Sequence, residues 1–199
     1  MRAVRIATLA VLVVIVCSAP SFARDGGTNG IGWQASSTLQ GVSFKGAFSS
    51  QMAVQGVLGY TSLSIDEPSI EVDGHDEELD MTLGVTAWTV GGRLLFTLKE
   101  ETNLDVYAGG GVNFYLISAE TDILGDDVEI SGSALGFQAV TGVEYRFQGL
   151  ENLAFSTEIG FDLAMVNDLN VDTPGGDVTL SPNASIKSFF LGGGIHYYF

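Results

Sequence analysis

The chain has 199 residues and a formal net charge of −16, enough for one domain with a sizeable core. So acidic a surface repels nucleic acid and matches an anionic membrane poorly, and a single cysteine, Cys17, excludes an internal disulfide or a thiolate metal site. Yet the mean hydropathy is positive, so acidic and apolar residues must occupy different segments.

The first segment is a leader. Arg2 and Arg5 precede an apolar run from Ile6 to Cys17, and Ser21 and Ala23 place small residues before a cleavage point after Ala23. This is the layout of a cleaved secretory signal peptide over 1–23. Its apolar run is too short for a spanning helix, which needs about 20 residues. Val16 precedes Cys17 where a lipoprotein signal needs a small residue. Cleavage removes the only cysteine and two arginines, leaving 6 basic against 24 acidic residues, a charge of −18. Residues 24–30 then form a short periplasmic segment.

From Gly30 onward, apolar alternating runs are separated by polar stretches. The runs are 31–37, 42–48, 52–65, 81–98, 104–119, 132–147, 153–166 and 185–199. After the first hairpin the gaps alternate short and long. Pro68, Pro174 and Pro182 all fall in long gaps, as the missing backbone donor of proline requires. The run 153–166 is the clearest strand. Leu153, Phe155, Ile159, Phe161, Leu163 and Met165 fall on one parity, and Ser156, Glu158, Gly160 and Asp162 on the other.

Alternation alone does not say which face is wet. Length does, because the later runs of 14–18 residues far exceed the usual soluble strand of about 5–6. Phe48, Phe96, Tyr145, Phe147, Tyr197 and Phe199 cluster at the ends that adjoin short gaps, as in an interfacial girdle. Short turns on one side and long loops on the other complete the pattern. The expectation for 31–199 is an all-β fold: an eight-stranded antiparallel up-and-down transmembrane β-barrel in the bacterial outer membrane. The runs 31–37 and 42–48 are short for spanning strands.

The closing GGGIHYYF, the glycine-rich VYAGGGVNFYL at 106–116 and the alternating strand 153–166 carry a resemblance. They resemble the small eight-stranded outer-membrane barrels that include the opacity proteins and outer-membrane protein X. The resemblance covers 30–199 as a hairpin pattern. The ending Ile195, Tyr197, Phe199 is similar to the C-terminal insertion signal of such proteins. It implies the barrel-assembly machinery as a partner during insertion, with outer-membrane lipid and lipopolysaccharide as the surroundings.

Function must then come from the lumen or the loops. The polar parity carries Lys45, Arg93, Glu144, Arg146, Glu158 and Asp162, and an eight-stranded barrel is only wide enough for side chains to fill. The expectation is an ion-pair network that plugs the lumen; the alternative is a narrow or gated porin-like channel along the same charges. No enzyme is expected. The histidines are His75 in an acidic stretch and His196 on the inward parity, with Ser188 about 26 Å from His196 along the strand. The acidic stretches 66–80 and 119–131 are read as surface loops, suited to an adhesive or structural role through a surface ligand. Asp73, Asp76, Glu77 and Asp80 form a weak candidate for a divalent cation, lacking the order of a calcium loop. No cofactor is expected. Asn183 opens a glycosylation sequon without weight in a bacterial protein.

Overall fold

A computed structural model of the chain describes residues 29–36, 40–66, 69–72, 75–78, 81–123, 126–173, 176–180 and 184–199. The expected signal peptide lies outside the described residues. The strands are β1 (Asn29–Ser36), β2 (Gln40–Ala47), β3 (Met52–Asp66), β4 (Ser69–Val72), β5 (His75–Glu78), β6 (Met81–Glu100), β7 (Leu104–Ile123), β8 (Asp126–Phe147), β9 (Leu150–Thr173), β10 (Gly176–Leu180) and β11 (Ala184–Tyr198).

Eight of them close a ring in the order β1, β2, β3, β6, β7, β8, β9, β11, with β11 pairing back onto β1. Every pairing is antiparallel. The ring can be followed from one registered residue to the next: Tyr198, Gly30, Lys45, Gln55, Arg93, Gly111, Gln138, Asp162, Ser188. The path re-enters β11 ten residues from where it left. A stagger of ten over eight strands tilts them by about 40° to the barrel axis. Each residue then adds about 2.5 Å of height.

Three short turns hold one end together: Phe48–Gln51, Glu101–Asn103 and Gln148–Gly149. Gly149 takes φ +82°, a left-handed geometry that costs a side chain about 1–2 kcal/mol. The long-loop end differs from the expectation of polar loops. Residues 119–123 and 126–131 continue β7 and β8, paired up to Ile123 and Asp126. Residues 167–173 extend β9, which then pairs with β10. Within 66–80, β4 and β5 pair with each other and, among the described residues, with no barrel strand. Thr, Ser and Asn tolerate a pleated surface when wet, so polarity alone did not mark the ends of these strands.

The wall is therefore uneven. β6 to β9 run for 20–24 residues, whereas β1 and β2 have eight each. Around the lower wall the outward residues are apolar and exposed, among them Trp33, Leu94, Val112, Phe137, Ile159 and Leu191. Water would not tolerate such a continuous apolar surface; lipid does. Tyr60 and Trp88 pair with ring centroids 4.8 Å apart near the upper border of this band. Tyr145, Phe147 and Phe155 stack edge to face at the lower one. The two groups mark the aromatic girdles of a spanning barrel.

The polar lumen as candidate functional site

The inward parity of the same strands carries the buried polar groups: Gln34, Ser43, Gln55, Arg93, Asn113, Gln138, Glu144, Glu158, Asp162 and His196 are all closed to solvent. Alternation puts each of them opposite a lipid-facing neighbour. Arg93 on β6 is the centre. Its Nη1 donates to Glu158 Oε2 at 2.8 Å and its Nε to Gln138 Oε1 at 2.7 Å. Its guanidinium lies 6.0 Å from the ring centroid of Phe190.

Glu158 collects three donors from three other strands. Besides Arg93, Gln34 Nε2 donates to Oε2 at 2.8 Å and Tyr107 Oη to Oε1 at 2.7 Å. Such a carboxylate is fully occupied by charge-assisted bonds. Towards the short-turn end, Lys45 Nζ donates to Glu144 Oε2 at 2.5 Å and lies 4.9 Å from the ring centroid of Tyr107. Arg146 meets Asp105 at 3.1 Å and Glu144 at 3.2 Å, and Tyr198 Oη also donates to Glu144. Towards the long-loop end, Tyr115 Oη donates to Asp162 Oδ2 at 2.8 Å, Asn113 Nδ2 to Tyr115 Oη at 3.1 Å, and Gln138 Nε2 to Asp162 Oδ2 at 3.3 Å.

All six charges picked out in the sequence thus face inward, in pairs or with amide and hydroxyl partners. Asp162 meets neutral partners rather than a cation. The sequence reading passed over the neutral bridges Gln34, Gln55, Tyr107, Tyr115 and Tyr198, and also Asp105. Their signal was available: each falls on the inward parity of its strand. A cavity of about 40 Å³ at the short-turn mouth is lined by Lys45, Asp105, Tyr107, Glu144, Arg146 and Tyr198, room for about one water molecule.

His196 Nε2 lies 2.9 Å from Ser43 Oγ, and Gln55 Nε2 donates to the same oxygen at 2.8 Å. This serine and histidine come from strands β2 and β11, a pairing that spacing along one strand did not reveal. Among the described residues no group partners His196 Nδ1, the position that a third member of a serine-activating relay would occupy. Asp73 and Asp80 lie outside the described residues, and Asp76 and Glu77 are consecutive in β5. Among the described residues no cluster of three metal-ligating side chains forms.

At the C-terminus, Ile195, Tyr197 and Phe199 alternate outward and are exposed. The Phe199 N–H donates to the Asn29 carbonyl at 2.8 Å, so the last residue is tied to the first described one. The chain end completes the ladder instead of fraying from it.

No protein-family model matches the chain, and no curated protein does. Among solved structures it is similar to a major outer membrane protein from Thermus thermophilus, at TM-score 0.56 and 12% identity over 85% of this chain and 98% of that one. It is also similar to CarO of Acinetobacter baumannii, at TM-score 0.46 and 12% identity over 85% and 97%. Ail, the attachment invasion locus protein of Yersinia pestis, aligns at TM-score 0.46 and 14% identity over 85% and 97%. At such identities the likeness is one of fold: the chain has the architecture of the small eight-stranded outer-membrane barrels.

Proposed function

We propose that this chain is an integral protein of the bacterial outer membrane, closed along its lumen by its own side chains, with a structural or adhesive role carried by the surface it raises beyond the membrane. The observation that carries this reading is the bridge of Lys45, Tyr107, Glu158, Arg93, Gln138 and Asp162 along the axis. Side chains bound in that way leave no continuous file for hydrated ions, and desolvating a mobile ion among them is costly. On this reading Ile195, Tyr197 and Phe199 pass the exported chain to the assembly machinery. Glu120 and Glu129, opposite each other on β7 and β8, share divalent cations with lipopolysaccharide phosphates. A surface ligand binds the protruding β7–β8 and β9–β10 hairpins.

Conductance of the refolded chain in a planar bilayer tests the reading. Cold-versus-boiled SDS mobility confirms in the same preparation that a barrel has formed. No current is expected from a verified barrel. Discrete, reproducible steps would instead make the lumen charges the lining of a path.

A further inference from the structure

With one exception, the basic residues of the chain lie away from the long-loop end. Arg2, Arg5 and Arg24 stand in the N-terminal segment. Lys45, Arg93 and Arg146 lie in the lumen, each against a carboxylate. Lys99 pairs with Glu101 at the short-turn end. The exception is Lys187 on β11. The acidic stretches 66–80 and 119–131 hold no basic residue, and neither does 167–183 with Asp168, Asp172 and Asp177.

Lys187 shares the outward parity of Phe189, Leu191 and Ile195 and is exposed. Its registered neighbour on β9 is Leu163, and no carboxylate pairs with it among the described residues. Counted along β11 from Tyr198 at the short-turn rim, it lies about 27 Å up the barrel axis. The apolar band is about 25 Å tall, so the ammonium stands at its upper border, at headgroup level.

Just below, the lipid-facing wall is hollowed. One outward rung reads Ala139, Phe161, Phe189 and the next one down Thr141, Ile159, Leu191. Between them runs a groove of about 650 Å³, floored by the backbone at Gly160. Phe161 and Phe189 roof it, with ring centroids 5.4 Å apart, and Phe189 is 86% exposed. The Thr141 hydroxyl donates to the Tyr107 carbonyl at 3.0 Å, which leaves its methyl to the groove. Because the strands are tilted, a line across them climbs from β8 to β11. The upper end of the groove therefore emerges at Phe189, one outward position below Lys187.

We infer that this face of β8, β9 and β11 holds a phosphate-bearing lipid of the outer leaflet, of the lipid A class. Lys187 receives a phosphate and the groove one acyl chain. The inference rests on the outer-membrane reading, which sets the long-loop end in that leaflet. Charge complementarity selects the occupant: the carboxylates of the long-loop end repel phosphate, and Lys187 is the one place where it is attracted. A lysine stem lies along apolar surface while its head reaches the phosphate level. Free phosphate would gain only an exposed ion pair, worth little, whereas a lipid adds the burial of its chain. Unlike the sharing of divalent cations at Glu120 and Glu129, this contact needs no metal.

Native mass spectrometry of the refolded full chain tests the site, in detergent micelles with bis-phosphorylated lipid A and EDTA to remove divalent bridges. The parent is expected to retain one lipid per barrel. Retention should fall several-fold in Lys187→Gln and in Ala139→Leu, which fills the groove. Lys187→Arg should keep the lipid, and Lys99→Gln, at the opposite end, should match the parent. Dephosphorylated lipid should bind the parent no better than lipid A binds Lys187→Gln. Parent-like retention in Lys187→Gln would overturn the phosphate contact, and parent-like retention in Ala139→Leu would overturn the groove. A parent that retains no lipid would overturn both. SDS mobility verifies each barrel, and fractionation of expressing cells tests the outer-membrane reading separately. A barrel found in that membrane yet indifferent to these substitutions would sink this site alone.

Discussion

Arg93 on β6 and Glu158 on β9 meet across the barrel at 2.8 Å, each side chain essentially closed to solvent. Removing one partner strands the other in a medium that cannot solvate it, a loss of about 3–5 kcal/mol for a buried pair. Arg93→Ala is expected to lower the urea midpoint by that order, and Arg93→Lys to recover only part of it, since one ammonium cannot reproduce the fork to Gln138 and Glu158. A midpoint equal to the parent's would remove the lumen network from the account of stability.

Gly149 isolates a backbone effect. A Cβ built there meets no atom within 4 Å, so the cost of Gly149→Ala is conformational alone, about 1 kcal/mol. Gly149→Asn should cost less, because asparagine visits the left-handed region more readily. Unfolding titrations of the two variants check the order; alanine no worse than asparagine would contradict it.

Much of the barrel was legible in the sequence because lipid imposes a two-residue period from outside while the lumen imposes its complement from inside. Leu153 to Val166 states both at once. The six lumen charges were visible for the same reason. Their partners were not, since Gln34 and Glu158 are 124 positions apart and the ring stagger that brings them together is a property of all eight strands. The upper wall was missed where the solvent changed: once the outward face meets water, Ser131 and Asn170 read as loop. The inner residues Ile130 and Val171 then stood at strand spacing without an apolar outer face to announce them.

Among the described residues the β4–β5 hairpin shares no backbone pairing with the barrel. Because it pairs only with itself, replacing 66–80 by a short Gly-Ser linker should leave the urea midpoint nearly unchanged, a loop-length effect of about 0.6 kcal/mol or less. Binding to lipopolysaccharide-containing vesicles is expected to change, measured by flotation with and without magnesium. Loss of membrane assembly in that variant would make the hairpin structural.

Deleting Phe199 removes two backbone hydrogen bonds with Asn29 and one exposed aromatic ring. The effect on refolding into detergent should be small, while assembly in cells should fall sharply, read from the heat-modifiable fraction in outer-membrane preparations. A matched loss in both settings would mean that the residue acts through stability and not through recognition.

The shortness of β1 sets the order in which this molecule comes apart. The join between the chain's two ends runs only from Gly30 to Ser36 against Tyr198 to Gly192, whereas β8 and β9 stay paired from Glu129 to Phe147. Pulled or heated, the cylinder is expected to open within this short sector, where β11–β1, β1–β2 and β2–β3 hold seven pairs each, before any long hairpin yields.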